Sequence, residues 1–97
     1  MTDQYLPTSE APGHILAVDD QPDVLRMLEL ELSTLPFKVV TALTGAEAIR
    51  VCQGTGFEGI LMDVSLPDMS GFEACRRIHA TPMNVHTPLI YLSGLKV

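Results

Sequence analysis

The sequence predicts one α/β domain built on a doubly wound parallel sheet. Four short apolar runs of strand length alternate with three segments of helical periodicity, giving the order βαβαβαβ. The runs lack polar alternation, the pattern of strands covered on both faces. The connections are also long enough for right-handed crossovers, which parallel strands need.

Residues 1–13 mix Pro7, Thr8, Ser9, Pro12 and Gly13 with scattered charge, bury too little apolar surface to order, and read as a flexible leader. The domain is therefore expected over residues 14–97. His14-Ile-Leu-Ala-Val18 is the first strand, cut off by Asp19-Asp20. From Pro22 to Leu35, Val24, Leu25, Leu28, Leu32 and Leu35 share a helical stripe, with Pro22 suited to the first turn and Pro36 closing the end. Phe37 to Leu43 is the second strand. Thr44 and Glu47 have the capping-box spacing and open a helix that Gly54-Thr-Gly56 breaks. Gly59-Ile-Leu-Met62 is the third strand and ends at Asp63, and Leu66-Pro67-Asp-Met is a turn. Ser70 and Glu73 repeat the capping-box spacing at the head of a helix through Ile78. Thr81-Pro82 ends that segment, and Pro88 to Leu92 is a fourth buried strand.

Composition narrows the function. Twelve acidic against six basic residues leave a net charge of −6, and Arg76-Arg77 are the only adjacent basic pair, so direct nucleic-acid binding is not expected. At 46% hydrophobic and 19% charged, the chain lies outside the disordered regime. Cys52 and Cys75 form no Cys-x-x-Cys motif, which argues against a disulfide framework or metal knuckle and fits a reducing cytoplasm. The N-terminus lacks the basic and apolar regions of a signal peptide, and no apolar run approaches the ~18 residues of a membrane span, so no membrane association is expected.

In such sheets ligands gather outside the carboxyl ends of the strands, where strand order reverses. Asp19 and Asp20 follow the first strand, Asp63 the third and Ser93 the fourth, so one sheet edge is expected to collect three carboxylates and a hydroxyl. Taken alone, Asp20 before Gln21-Pro22 reads as a helix cap in preference to a ligand. Asp63 abuts an apolar strand, where an unpartnered carboxylate is costly. Crowded acids repel, and a hard cation such as Mg²⁺, content with one or two carboxylates, waters and phosphate oxygens, relieves them. A carboxylate beside a cation is also a competent nucleophile toward phosphorus.

Other chemistries fit less well. His14, His79 and His86 have no ligand spacing, and His79 reads as a complement to a helix C-terminus. No G-x-S-x-G elbow supports acyl transfer. Ser65 stands where an aspartate-nucleophile phosphatase would want its second aspartate, and Gly54-Thr-Gly56 lacks the lysine of a P-loop.

Three segments in order, Ile15-Leu-Ala-Val-Asp19-Asp20, Gly59-Ile-Leu-Met-Asp63-Val-Ser-Leu-Pro67-Asp-Met-Ser-Gly71 and Thr87-Pro-Leu-Ile-Tyr-Leu-Ser93-Gly, resemble the receiver domain of bacterial response regulators. The resemblance covers residues 14–95 and implies a flavodoxin-like sheet of strand order 2-1-3-4. It implies that Asp63 accepts a phosphoryl group from a histidine kinase or phosphotransfer protein in a two-component phosphorelay. It likewise implies that Asp20, Asp63 and the backbone carbonyl of Ser65 ligate Mg²⁺, that Asp19 holds metal-bound water, and that Ser93 is the switch hydroxyl. Such a domain is a cytoplasmic signalling module, not an enzyme, and it switches an output domain or partner expected beyond Val97.

The family's lysine, at the end of a fifth strand, has no counterpart in these 97 residues, since Lys96 lies only three positions after Ser93. The resemblance thus reads as truncated before the fourth helix, with the fifth strand missing. The alternative is a non-phosphorylated receiver-like protein-interaction module that uses the scaffold for docking alone. Without a neighbour, the fourth strand would expose an apolar edge and favour self-association through it.

Overall fold

The computed structural model describes residues 13–92. They form β1 (Gly13–Val18), α1 (Pro22–Leu32), β2 (Phe37–Ala42), α2 (Gly45–Gly54), β3 (Gly59–Met62), α3 (Gly71–Ile78), a 3-10 turn (Pro82–Asn84) and β4 (Leu89–Tyr91). The strands make one parallel sheet in the order β2-β1-β3-β4, as the resemblance implies. Strand order reverses at β1, so the connections leaving β1 and β3 run off in opposite directions along the sheet.

Register aligns the strand ends. Val18 pairs with Ala42 on one side and Met62 on the other, and Met62 pairs with Tyr91. The ladder runs one residue further, with Asp19 N donating to Ala42 O (3.1 Å), Asp63 N to Val18 O (2.9 Å) and Leu92 N to Met62 O (2.9 Å). Asp19 and Asp63 therefore leave the sheet level with each other on neighbouring strands.

Alternation along the strands divides the sheet into two faces. Leu16, Val18, Ile60, Met62 and Ala42 meet Ala48 and Cys52 of α2 and Ala74 and Ile78 of α3 in the main core. Burying side chains such as Leu16 and Ile60 contributes roughly 1.5–3 kcal/mol each. On the other face α1 packs against β1 and β2, with Val24 and Leu25 buried. Beside it an apolar groove runs between Leu32 and Leu35 on one wall and Leu61, Pro88 and Ile90 on the other.

Four expectations are revised. α1 stops at Leu32 rather than Leu35, because Ser33 caps it through its own N–H (3.2 Å) and hydroxyl (2.7 Å), both donating to Leu30 O. β2 ends at Ala42, and Leu43 is exposed. β1 begins at Gly13, one residue inside the expected leader; residues 1–12 lie outside the described residues. β4 is shorter than Pro88–Leu92 and is not buried on both faces: Leu89 and Tyr91 pack on the main core, whereas Ile90 is 63% exposed. Ile90 points to the groove face, where α1 covers β1 and β2 but not β4.

The 3-10 turn is held by a buried amide. Asn84 Oδ1 accepts from Phe57 N (2.9 Å) and Thr87 Oγ1 (2.9 Å), while Nδ2 donates to Cys52 O and Thr55 O (2.8 Å each). One side chain thus joins the end of α2, the entry to β3 and the entry to β4.

Candidate functional site

The carboxylates of Asp19, Asp20 and Asp63 converge at the strand-order reversal. Each offers an oxygen, and these oxygens lie within 4.8 Å of one another. Asp19 and Asp63 are buried and Asp20 is exposed, so the cluster is walled by the sheet and open on one side. Oxygen-only donors in this number and spacing suit a hard divalent cation better than a softer transition metal.

Local structure explains the placement. Pro22, which has no N–H, begins α1. The extended residue before it, Gln21, is the N-cap and makes no side-chain cap bond. The helix-cap reading of Asp20 is therefore corrected. It is Asp19 Oδ1 that accepts from Gln21 N (2.9 Å), turning the chain into the helix and leaving the Asp20 carboxylate to the cluster.

Asp63 heads a tightly closed loop. Its Oδ1 accepts from Ser65 N (3.3 Å). Ser65 and Ser70 form an antiparallel bridge, Leu66 N donates to Met69 O (3.2 Å), and Gly71 N donates to Val64 O (2.6 Å). A Cβ built on Gly71 would run into the Asp63 carbonyl, so glycine is required there for space. Ser65 lies in this loop, two residues after Asp63. Ser93 and Lys96 lie outside the described residues.

One expected capping box forms in full and the other only by its N-cap half. Thr44 Oγ1 accepts from Glu47 N (3.1 Å) and Glu47 Oε1 from Leu43 N (2.9 Å). Ser70 Oγ accepts from Glu73 N (3.0 Å), but the Glu73 carboxylate turns to Arg76 and Arg77 (2.6 Å to each), which hold it below the usual carboxylate pKa range.

Sequence reasoning missed Asp68, taken as a turn residue. Its Oδ1 accepts from Gly45 N and its Oδ2 from Ala46 N, both at 2.9 Å, and these two bonds lower its pKa. The partners lie more than twenty residues away, so no local signal announces the contact. Asn84 was missed for the same reason. His79, read as a helix-end complement, does cap α3, yet its Nε2 also meets Thr87 O (2.9 Å) and its Nδ1 lies 3.6 Å from Cys75 Sγ. That pairing was visible in the i, i+4 spacing.

A doubly wound parallel sheet with paired acids after its first strand and an acid after its third defines a receiver class of domain. Residues 15–96 match the response regulator receiver domain family, and the chain belongs to it. It is 37% identical over 82 residues to the transcriptional regulatory protein YkoG of Bacillus subtilis, covering 84% of this chain and 35% of that protein. Among solved structures, the receiver domain of the Pseudomonas aeruginosa sensor histidine kinase PA1611, with magnesium coordinated in its active-site cleft, superposes with a TM-score of 0.79 at 32% identity, covering 86% of this chain and 68% of that one. The Vibrio cholerae chemotaxis protein CheY4 gives 0.78 at 32% identity, covering 84% and 68%. The chain spans about a third of its curated relative YkoG. Among the described residues, no helix is long and apolar enough to cross a membrane.

Proposed function

We propose that this receiver domain takes a phosphoryl group onto Asp63 from a phosphohistidine of a histidine kinase or phosphotransfer protein, with Mg²⁺ as cofactor. The observation that carries the reading is the convergence of the Asp19, Asp20 and Asp63 oxygens within 4.8 Å. The magnesium-bound cleft of the PA1611 receiver supports the choice of ion.

A carboxylate oxygen of Asp63 forms the new O–P bond as the P–N bond to the donor imidazole breaks, the electron pair leaving on that nitrogen. Asp20, Asp63 and the Ser65 carbonyl would hold Mg²⁺, and Asp19 would hold its water. The ion, when bound, neutralises charge on the phosphoryl oxygens. Asp19 is itself oriented by Gln21 N–H, so the protein's contribution is a preset group of acids on a rigid sheet edge. The nucleophile, buried to 3% exposure, meets its donor from the open side occupied by Asp20.

Ser93 would act as the switch hydroxyl, reorganising the segment after β4 toward an output domain or partner. The domain 14–97 would work in the cytoplasm as a signalling module. Self-association through β4, the edge strand among the described residues, would be a second mode of contact.

Incubation of the chain with acetyl phosphate and Mg²⁺, followed by mass spectrometry, tests the reading. One phosphoryl group mapping to Asp63, and lost in Asp63→Asn, is expected, with Ser93→Ala still taking it up. Uptake by Asp63→Asn at the parental rate would overturn the acceptor assignment. Absence of an adduct in the parent would favour the non-phosphorylated docking module.

A further inference from the structure

We propose that Asp68 is a positioning residue for the phosphoryl-transfer site, clamping the loop that carries Asp63 and Ser65 to the start of α2. The inference rests on the reading of that site as a Mg²⁺-dependent phosphoacceptor.

The clamp is built from contacts at both ends of the loop. At its base, Asp63 is held in the sheet by its N–H bond to Val18 O, and Gly71 is packed against the Asp63 carbonyl. At its tip, the two Asp68 oxygens take the N–H groups of Gly45 and Ala46 at 2.9 Å each. Those are the first two donors of α2, which have no partner within a helix. Thr44 supplies the next acceptor through its side chain, and Ala48 N reaches Thr44 O (3.1 Å). Asp68 is thus the remote half of the α2 cap, more than twenty residues away in sequence.

Packing reinforces the hydrogen bonds. Gly45 is buried, and a Cβ placed on it would strike Met69, so the residue after Asp68 lies directly over the α2 terminus. Asp68 and Met69 together seat the loop tip on α2. Between tip and base lies Ser65, tied to Ser70 by the bridge and to Asp63 by its N–H. A backbone carbonyl is a useful metal ligand only where its loop is fixed, because unlike a long side chain it cannot reorient independently. With the tip released, the loop gains freedom at the residue that completes the ligand set, whereas Asp19, Asp20 and Asp63 stay on the sheet edge.

The effect should fall on metal affinity and leave the acceptor's chemistry in place. Asp68→Ala removes both acceptors. Asp68→Asn keeps one oxygen and turns an NH₂ toward a backbone N–H. The test uses the full 97-residue chain, with Mg²⁺ titrated by NMR and acetyl-phosphate uptake measured across Mg²⁺ concentration. Asp68→Ala is expected to weaken Mg²⁺ binding about three- to tenfold and Asp68→Asn by less, with uptake at saturating Mg²⁺ within about twofold of the parent. Should Asp68→Ala fail to fold, the milder Asp68→Asn decides.

A purely structural role would lower the melting temperature with no change in Mg²⁺ affinity, and that result overturns the proposal. So does loss of uptake that saturating Mg²⁺ fails to restore. If the parent binds Mg²⁺ but takes up no phosphoryl group, the phosphoacceptor reading falls while the Mg²⁺ titration still judges Asp68. A parent that binds no Mg²⁺ overturns both.

Discussion

Gly71 sits so close to the backbone of Asp63 that any side chain on it would collide with the Asp63 carbonyl oxygen. The first residue of α3 and the candidate acceptor therefore share one packing constraint, with the Gly71 N–H to Val64 O bond (2.6 Å) closing the loop between them.

Gly71→Ala sets two effects against each other. Helix propensity favours alanine in a helix by about 1 kcal/mol. Overpacking against fixed backbone costs about 1–3 kcal/mol, and here the obstacle is the backbone carbonyl of Asp63, whose N–H is held in the sheet ladder, rather than a flexible side chain. A net loss of stability is expected, with chemical-shift changes centred on Asp63 and Val64. A urea midpoint equal to or above the parent's would show that the loop yields freely.

Asn84→Ala is expected to destabilise the chain by about 2–4 kcal/mol in urea unfolding, because it strips the partner from the Phe57 N–H and from the carbonyls of Cys52 and Thr55 in a buried setting. Met83→Ala, one residue away and 56% exposed, is expected to change stability by less than about 0.5 kcal/mol. Similar effects from both would mean that the amide network is not what holds the turn.

The Asp68 clamp makes stability depend on pH. The two α2 amides, Gly45 first, lower the folded-state pKa of Asp68 from its ordinary 3.8. A depressed carboxylate stabilises fully above its unfolded value, and the contribution is lost as pH falls through the lower folded value. The melting temperature of Asp68→Asn is thus expected about 2–5 °C below the parent's at pH 7, a gap that closes on acidification below 3.8. A gap that stays constant from pH 7 to pH 3 would deny the carboxylate its role.

The two cysteines are expected to label at different rates. Cys52 is fully buried and desolvation pushes its thiol up to about 11, leaving roughly one molecule in a thousand ionised at pH 8. Cys75 is only partly buried, beside His79. A thiol reagent at pH 8 should modify Cys75 promptly and Cys52 only on unfolding. Equal rates would indicate that α2 opens readily.

How much of this was readable in the sequence follows from the range of the interactions involved. The strand identities, Pro22 at the start of α1, the capping residues Thr44 and Ser70, and the approach of Asp19, Asp20 and Asp63 all came from local patterns: apolar runs, cap spacing, and acids placed directly after strands. These signals act over a few residues, where backbone sterics and capping chemistry dominate. The cap reading of Asp20 taken alone failed although Asp20 is the acid nearer the helix start; the strand ladder, which carries through Asp19, leaves Asp19 as the one that turns back to Gln21 N.

The rest depended on elements brought together by folding. Asp68 meets α2, Asn84 meets the entry to β3, and Gly71 meets the carbonyl of Asp63 through contacts created by the parallel crossovers. Ile90 is apolar like its neighbours, yet its exposure depends on which strands α1 covers. By itself the sequence determined the elements, their parallel sheet and the acids at its edge, because hydrophobic period and chain direction are local properties. The tertiary structure alone decided that Asp68 clamps α2 and that Asn84 ties the 3-10 turn to β3, because a side chain's partner across more than twenty residues is set by packing and leaves no periodic trace.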